Sequence, residues 1–294
     1  MTEKEAENTG VAEKPPTIDQ VVREVREIAT LPQVATKVIE VAKDPDAGAA
    51  DLKAVVEGDP VLSARVLRMV NSASCGMRAA VSNLHQAISY LGFRQVRNLA
   101  LTASVSEMFR GEEGIGCYRR DQLWKHLVSV GVCARMVAAR CRIPNFDDAF
   151  LAGLLHDVGI IIEDQQIHEH FRGLIGALTE GRTLASQERE WIGFDHCELG
   201  AYIAEIWKFP ASVQAAIRHH HASHRYKGVD AEIVACVEIA NVICTIKGIS
   251  SVGIRLVEPP SGAFRALGFK KADIVILATD LDQELAMNEN LFEQ

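Results

Sequence analysis

Residues 121–140 read DQLWKHLVSVGVCARMVAAR, and their spacing decides the fold. Leu123, Leu127, Val130, Cys133, Ala134 and Val137 recur at three- and four-residue steps, which is the pattern of a helix with one apolar face. His126 lies on that same face. An imidazole turned toward a core needs a partner, because leaving it unpaired there is costly. Taken alone, His126 reads as a hydrogen-bonded core histidine.

Helical signals extend outward from this segment in both directions. Toward the N-terminus, Thr17-x-x-Gln20 forms a capping box, and residues 31–42 and 51–57 follow, the latter closed by Gly58. Asp59-Pro60 supplies an N-cap and a first-turn proline for residues 61–70. Residues 82–91 end at Gly92, and a long helix is expected over 93–109. Toward the C-terminus, helices are expected over 147–158 (ended by Gly159), 160–178 in one or two pieces, and 186–192. Others are expected over 196–207 behind Asp195, 211–221 behind Pro210, 231–247 and 270–287. No run of strict alternation bounded by turns argues for a sheet. The expected fold is all-α, a two-lobed helical bundle.

Glycines 111, 114 and 116 mark the best internal boundary. The expected organisation is a flexible tail over 1–16 and a helical subdomain over 17–110. A second helical subdomain over 119–249 and a C-terminal loop and packing helix over 250–294 complete it.

Hydrophobic residues make up 48% of the 294, enough for a sizeable core. The formal charge of −8 opposes nucleic-acid binding, which needs clustered Lys and Arg against phosphates. The basic stretch formed by Arg65, Arg68, Arg78, Arg94 and Arg97 reads as solvated helix faces. The seven cysteines are an odd number with no C-x-x-C pair, so reduced thiols are expected rather than a disulfide framework or a cysteine zinc site. No apolar run is long enough to span a bilayer, and residues 1–16 are polar. A cytoplasmic location with no membrane partner is the expectation.

Eight of the ten histidines fall between Asp121 and His221, and their distribution is uneven. His156-Asp157 ends an apolar segment, where burying an aspartate makes sense if a cation neutralises it. His196 opens a helix and His219-His220-His221 end the next. Three consecutive histidines cannot all face one metal from a helix, so one must point elsewhere. His85, His168, His170 and His224 read as solvent-facing.

Several of these segments resemble the HDOD family, the HD-related output domains of bacterial signalling. In the first half the resemblance rests on Leu31-Pro32, Asp59-Pro60-Val61-Leu62-Ser63, Leu67-x-x-Val70-Asn71-Ser72-Ala73 and Ala87-Ile88-x-x-Leu91-Gly92. In the second it rests on His126, His156-Asp157, His196 and His220-His221, with Trp207-x-Phe209-Pro210 and Ala216-Ile217-Arg218 selecting His220 and His221 over His219. This ordered set is similar to the metal-binding skeleton of HD-superfamily phosphohydrolases. The resemblance implies a second lobe of HD type and metal ligands His126, His156, Asp157, His196, His220 and His221. The ion would be Fe, Mn, Zn or Ni, and one ion rather than two.

The sequence departs from that pattern at informative places. Asn241 stands where the superfamily has a late aspartate, so it is a weak ligand at most; Glu238, one turn earlier, is a candidate substitute. Gln122 stands for a glutamate, Ile160 for a lysine, and no Gly-Tyr-Pro triplet follows His221. With Asp157 as the one acidic ligand, two divalent ions would be under-neutralised, and the phosphate contact that a lysine at 160 would offer is gone. The resemblance therefore implies a regulatory, non-catalytic signalling module with protein partners, a nucleotide as a candidate ligand and dimerisation as an option. The alternative is a metal-dependent phosphohydrolase acting on a nucleotide or cyclic dinucleotide, with Asp157 as its catalytic residue.

Overall fold

The Thr17 capping box forms as the spacing predicts: Thr17 N donates to Gln20 Oε1 (2.7 Å) and Gln20 N donates to Thr17 Oγ1 (3.4 Å). It opens α1 (Ile18–Ile28). The computed structural model describes residues 15–28, 31–44, 46–71, 80–111, 114–144, 146–253 and 256–292. Residues 1–14 of the expected tail, Ser72-Ala73 of the family motif, Cys75, Arg78 and residues 112–113 lie outside the described residues.

The chain then runs through α2 (Gln33–Lys43), α3 (Ala49–Glu57), α4 (Pro60–Val70), α5 (Leu84–Leu91) and α6 (Phe93–Val105), with a 3-10 turn over Ser106–Phe109. Asp59 Oδ1 accepts from Val61 N (2.9 Å) and Leu62 N (3.0 Å), the cap that Asp-Pro predicts. Gly92, at φ +83°, turns the chain between α5 and α6. The helices α2, α4 and α5 pack around α6. The helix α1 lies instead against α9 and α12 of the second half.

The glycine-rich boundary is not a bare loop. Gly114–Ile115 (β1) pairs antiparallel with Tyr118–Arg119 (β2), a minimal hairpin and the sole sheet among the described residues. Beyond it come α7 (Arg120–Arg140), α8 (Phe146–Leu155), α9 (Val158–Gln166) and α10 (His168–Ala177). Next are α11 (Leu184–Trp191), α12 (His196–Ile206), α13 (Ala211–His219), α14 (Ala231–Ile246), α15 (Ser261–Ala266) and α16 (Lys271–Met287). The fold is all-α, as the periodicity predicts.

The core of the second half is α7 packed on α8 and α14. Two glycines set the α7–α8 distance: a Cβ on Gly131 would lie 2.9 Å from Phe150 O, and one on Gly153 2.8 Å from Val130 O. With both side chains absent, the two backbones meet, and Trp124, Leu127, Leu151 and Leu154 are fully buried around them. Burying each such side chain contributes about 1.5–3 kcal/mol. The close crossing also brings His126 on α7 to His156 at the end of α8.

Arg97 departs from the expected solvated face. It is 8% exposed and bridges the halves, donating to Asp148 Oδ1 (2.9 Å) at the start of α8. Arg65 pairs with Glu107. The last helix packs on its own bundle: Leu277 and Leu281 are buried, Arg140 donates to Asp273 Oδ1 (2.6 and 2.9 Å), and Lys247 Nζ donates to Ala278 O (2.8 Å). Among the described residues no helix is long and apolar enough to cross a membrane.

Candidate metal centre

The expected helix over 147–158 ends three residues early, at Leu155, and that break makes the site. The helix α8 ends at Leu155 and α9 begins at Val158, so His156 and Asp157 occupy the junction. On a continuous helix adjacent residues diverge by about 100°. In the junction both side chains turn inward, and Asp157 Oδ2 lies 3.3 Å from His156 Nε2. Gly159 is accordingly not a helix stop. It sits in the first turn of α9, where a Cβ would come within 2.9 Å of His196 Cα and nearer still to its carbonyl. The absent side chain lets the start of α12 press against α9.

That contact delivers His196. Asp195 caps α12, accepting from Glu198 N (2.8 Å), and His196 enters the site from the first turn. The helix α13 runs to His219, His220 caps it with its N–H still bonded to Ala216 O (2.9 Å), and His221 follows just beyond the helix. At this helix end the two rings lie side by side, with centroids 4.1 Å apart. His219 stacks on Tyr226 with ring centroids 5.3 Å apart, outside the cluster. Of the remaining histidines, His85, His168 and His224 are exposed and His170 is half-buried.

Four imidazoles converge on one carboxylate, and a fifth stands beside them. Asp157 Oδ1 is 3.3 Å from His196 Nε2 and 3.1 Å from His220 Nε2. Its Oδ2 is 3.6 Å from His126 Nε2 and 3.3 Å from His156 Nε2. His221 Nε2 lies 3.1 Å from His196 Nε2. Every one of these groups except His221 is buried, and Asp157 is 2% exposed.

The opposite ring nitrogens have partners that fix the tautomers. His126 Nδ1 meets Ile249 O (2.9 Å), His156 Nδ1 meets Gly153 O (2.7 Å), and His220 Nδ1 meets Ile217 O (3.0 Å). A carbonyl only accepts, so each of these Nδ1 atoms carries the proton and donates. His196 Nδ1 faces Glu188 Oε2 (2.6 Å), which also accepts from His196 N (3.0 Å). The Nε2 lone pairs are thereby aimed at one another and at a carboxylate whose Oδ1 has no hydrogen-bond partner. Converging lone pairs in a buried space repel unless a cation or a proton sits among them. The donor set fits a divalent ion of the N/O class.

The charges respond accordingly. Burial opposes ionisation of Asp157, but the histidines, His156 foremost, hold its carboxyl well below the usual range. Burial and the neighbouring His156 push His126 down to about 4. His220, despite burial, is lifted to about 10 by Cys197 and Asp157.

Cys197 was not a candidate on sequence, because no C-x-x-C spacing flags it. Its Sγ lies 3.4 Å from His196 Nε2 and 3.8 Å from His220 Nε2. The donor atoms group into two sets, His126/His156/Asp157 and His196/Cys197/His220/His221, each within 4.8 Å. The one signal in the sequence was adjacency to His196 at a helix N-terminus.

Asn241 is buried on α14 and accepts from Thr245 Oγ1 (3.4 Å). Glu238 does not substitute for it in the cluster: its Oε2 accepts from Ser223 N (3.2 Å) and from the Ser223 hydroxyl, holding the turn after His221. Gln122 is exposed and donates to Asp121 Oδ2 (3.1 Å), while Ile160 is fully buried. Deeper still lies a carboxyl pair. Glu163 and Glu188 are both fully buried, and burial together with the Glu188 charge pushes the Glu163 carboxyl well above its usual range. Cys197 and His221 line a cavity of about 520 Å³, together with Arg189, Arg218 and Arg225 and the acids Asp195, Glu198 and Glu258.

The comparisons with known proteins agree with this architecture. The model of the HDOD domain matches residues 28–223. An HDOD domain protein of unknown function from Geobacter sulfurreducens has 25% identity and a TM-score of 0.75, over 94% of this chain and 99% of that one. A structure from Shewanella amazonensis SB2B, assigned only provisionally as a phosphohydrolase, shares the fold at 22% identity and a TM-score of 0.70, over 92% of this chain and 96% of that one. An uncharacterized protein of Treponema pallidum (strain Nichols) is 27% identical over 225 residues, 73% of this chain; the match spans 42% of that protein's length. With the family model matching most of its length and the fold shared throughout, the chain belongs to the HDOD domain family.

Proposed function

We propose that the chain is a regulatory signal-transduction module without hydrolytic turnover, in which a divalent metal ties together the helices of the second half. The observation that carries this reading is the convergence of four Nε2 atoms on Asp157, with their Nδ1 atoms held by Ile249, Gly153, Ile217 and Glu188 and with His221 beside His196. His126, His156, Asp157, His196, His220 and His221 are the proposed ligands, and Asn241 is at most a weak one. Fe, Mn, Zn and Ni all suit imidazole and carboxylate donors.

Turnover is disfavoured by the same geometry. Metal-assisted hydrolysis needs an ion with an open position for water and substrate. Asp157 and four of the histidines are buried, Ile160 offers no charge, and Asn241 adds none. A metal here acts as a staple joining α7, the α8–α9 junction, α12 and the end of α13. Output then passes to a protein partner, by way of helices whose relative placement the metal fixes. A reducing, cytoplasmic setting suits the free thiols.

Elemental analysis of freshly purified protein, followed by a phosphodiester screen with added Mn²⁺ or Fe²⁺, tests the reading. Bound metal with no turnover is expected. One observation favours a second reading, a phosphohydrolase acting on a nucleotide: a cavity that holds Arg189, Arg218 and Arg225 in its lining reaches the site through His221. Turnover that Asp157→Ala abolishes would establish that second reading in place of the first.

A further inference from the structure

Two donor sets share the Asp157 carboxylate, and they are not equivalent. On the His126/His156 side the ion would find two imidazoles and one oxygen. On the other side stand His196, Cys197, His220 and His221, four side chains before Asp157 is counted. We propose that the resident ion sits in this second set with the Cys197 thiolate as a ligand, making a thiolate-bearing, zinc-type centre. This inference rests on the metal-staple reading above and narrows it, placing the ion on the α12–α13 side of Asp157 with a sulfur ligand.

The distances favour it. A tetrahedral zinc with Zn–N of about 2.0–2.1 Å and Zn–S of about 2.3 Å places its ligands on edges of roughly 3.3–3.4 Å for N···N and about 3.6 Å for N···S. The second set has His196 Nε2 to His220 Nε2 at 3.4 Å and His196 Nε2 to His221 Nε2 at 3.1 Å. Cys197 Sγ stands 3.4 Å and 3.8 Å from the His196 and His220 nitrogens. These side chains lie where the corners of one coordination polyhedron require them.

Charge points the same way. A divalent ion held by five neutral imidazoles and Asp157 leaves a net positive charge in a buried site, which is costly. A Cys197 thiolate supplies the second negative charge. The residue that balances the ion is thus next to His196, and no carboxylate at position 241 is needed. Sulfur also selects among metals, favouring Zn over the harder Mn. Binding takes the thiol proton to solvent as the Zn–S bond forms, so the step involves no oxidant or reductant.

The test is cobalt titration of the full chain after chelation, read by absorption. A thiolate-to-cobalt charge-transfer band in the near-ultraviolet is expected, lost in Cys197→Ser and retained in Cys117→Ser, which removes an exposed thiol outside both donor sets. Zinc affinity of Cys197→Ser is expected to fall by ~100-fold or more, since losing an outer-shell partner alone costs about 10–100-fold. X-ray absorption of the zinc-loaded wild-type chain needs no variant and is expected to show sulfur at about 2.3 Å. Cobalt binding without a thiolate band, or zinc with only nitrogen and oxygen neighbours, overturns the sulfur ligand while leaving the metal staple standing. No binding of either ion overturns both.

Discussion

Gly159 and His196 touch backbone to backbone. The Gly159 Cα packs so close to the His196 peptide that a Cβ would fall 2.9 Å from the His196 Cα. Neither partner can yield cheaply, because His196 is pinned by Glu188 at both N and Nδ1. Gly159→Ala is therefore expected to push α12 off α9. Overpacking of this kind costs about 1–3 kcal/mol. Denaturant unfolding of the metal-free variant should show that loss, and metal affinity should fall with it. A variant with wild-type midpoint and affinity would mean that α9 and α12 separate easily.

The Glu188 carboxylate holds the His196 ring, and replacing it separates charge from geometry. Glu188→Gln keeps an oxygen that can accept from Nδ1 but removes the negative charge. Outer-shell partners of this sort are worth about 10–100-fold in metal affinity. A loss in that range is expected by competition with a chelating dye, with the helical content unchanged. An unaltered affinity would show that the charge of Glu188 does not reach the metal through His196.

Glu163 predicts a pH dependence of stability. Neither of its oxygens has a hydrogen-bond partner, and Glu188 Oε1 is likewise unpaired. A proton on Glu163 supplies the donor that the pair lacks. Because its carboxyl is raised in the fold, the folded chain keeps a proton that the unfolded chain loses above the ordinary value of about 4.3. That contribution is complete below this value and is lost as pH rises through the raised one, by at most about 1.4 kcal/mol per pH unit. Metal-free wild type should thus lose stability toward alkaline pH more steeply than Glu163→Gln. Equal slopes from about pH 5 to 8 would mean that Glu163 is ionised in the fold.

The sequence made some of this legible and hid the rest for physical reasons. Helices with strong caps, such as those opened by Thr17, Asp59 and Asp195, stood out because a side-chain oxygen and its backbone target lie within three residues of each other. The break after Leu155 did not, since an apolar run reads as continuous helix and the break is imposed by α12 packing on Gly159. Cys197 was invisible because its neighbours, His196 aside, come from a different helix end, and local spacing carries no trace of them. Glu163 and Glu188 look like ordinary surface acids in sequence; only tertiary packing buries them.

Asn241 yields the last prediction. Glu238, Asn241 and Thr245 share one face of α14, and Ile249 follows just beyond its end. That face borders the site at both ends, through Ser223 on Glu238 and through His126 Nδ1 on Ile249 O. Asn241 lies between them on that face, and the His126/His156 donors have one acidic partner in Asp157. A carboxylate at 241 would supply the missing charge to that set, since a cation there otherwise lacks neutralisation. Asn241→Asp is therefore expected to raise the metal-to-protein ratio measured by elemental analysis, and the gain should vanish in the double variant with His126→Ala. Without metal the same substitution buries an unneutralised carboxylate, so the stripped variant should unfold more readily than wild type. An unchanged metal content combined with lowered stability would place the Asn241 side chain on Thr245 alone, with no role at the ion.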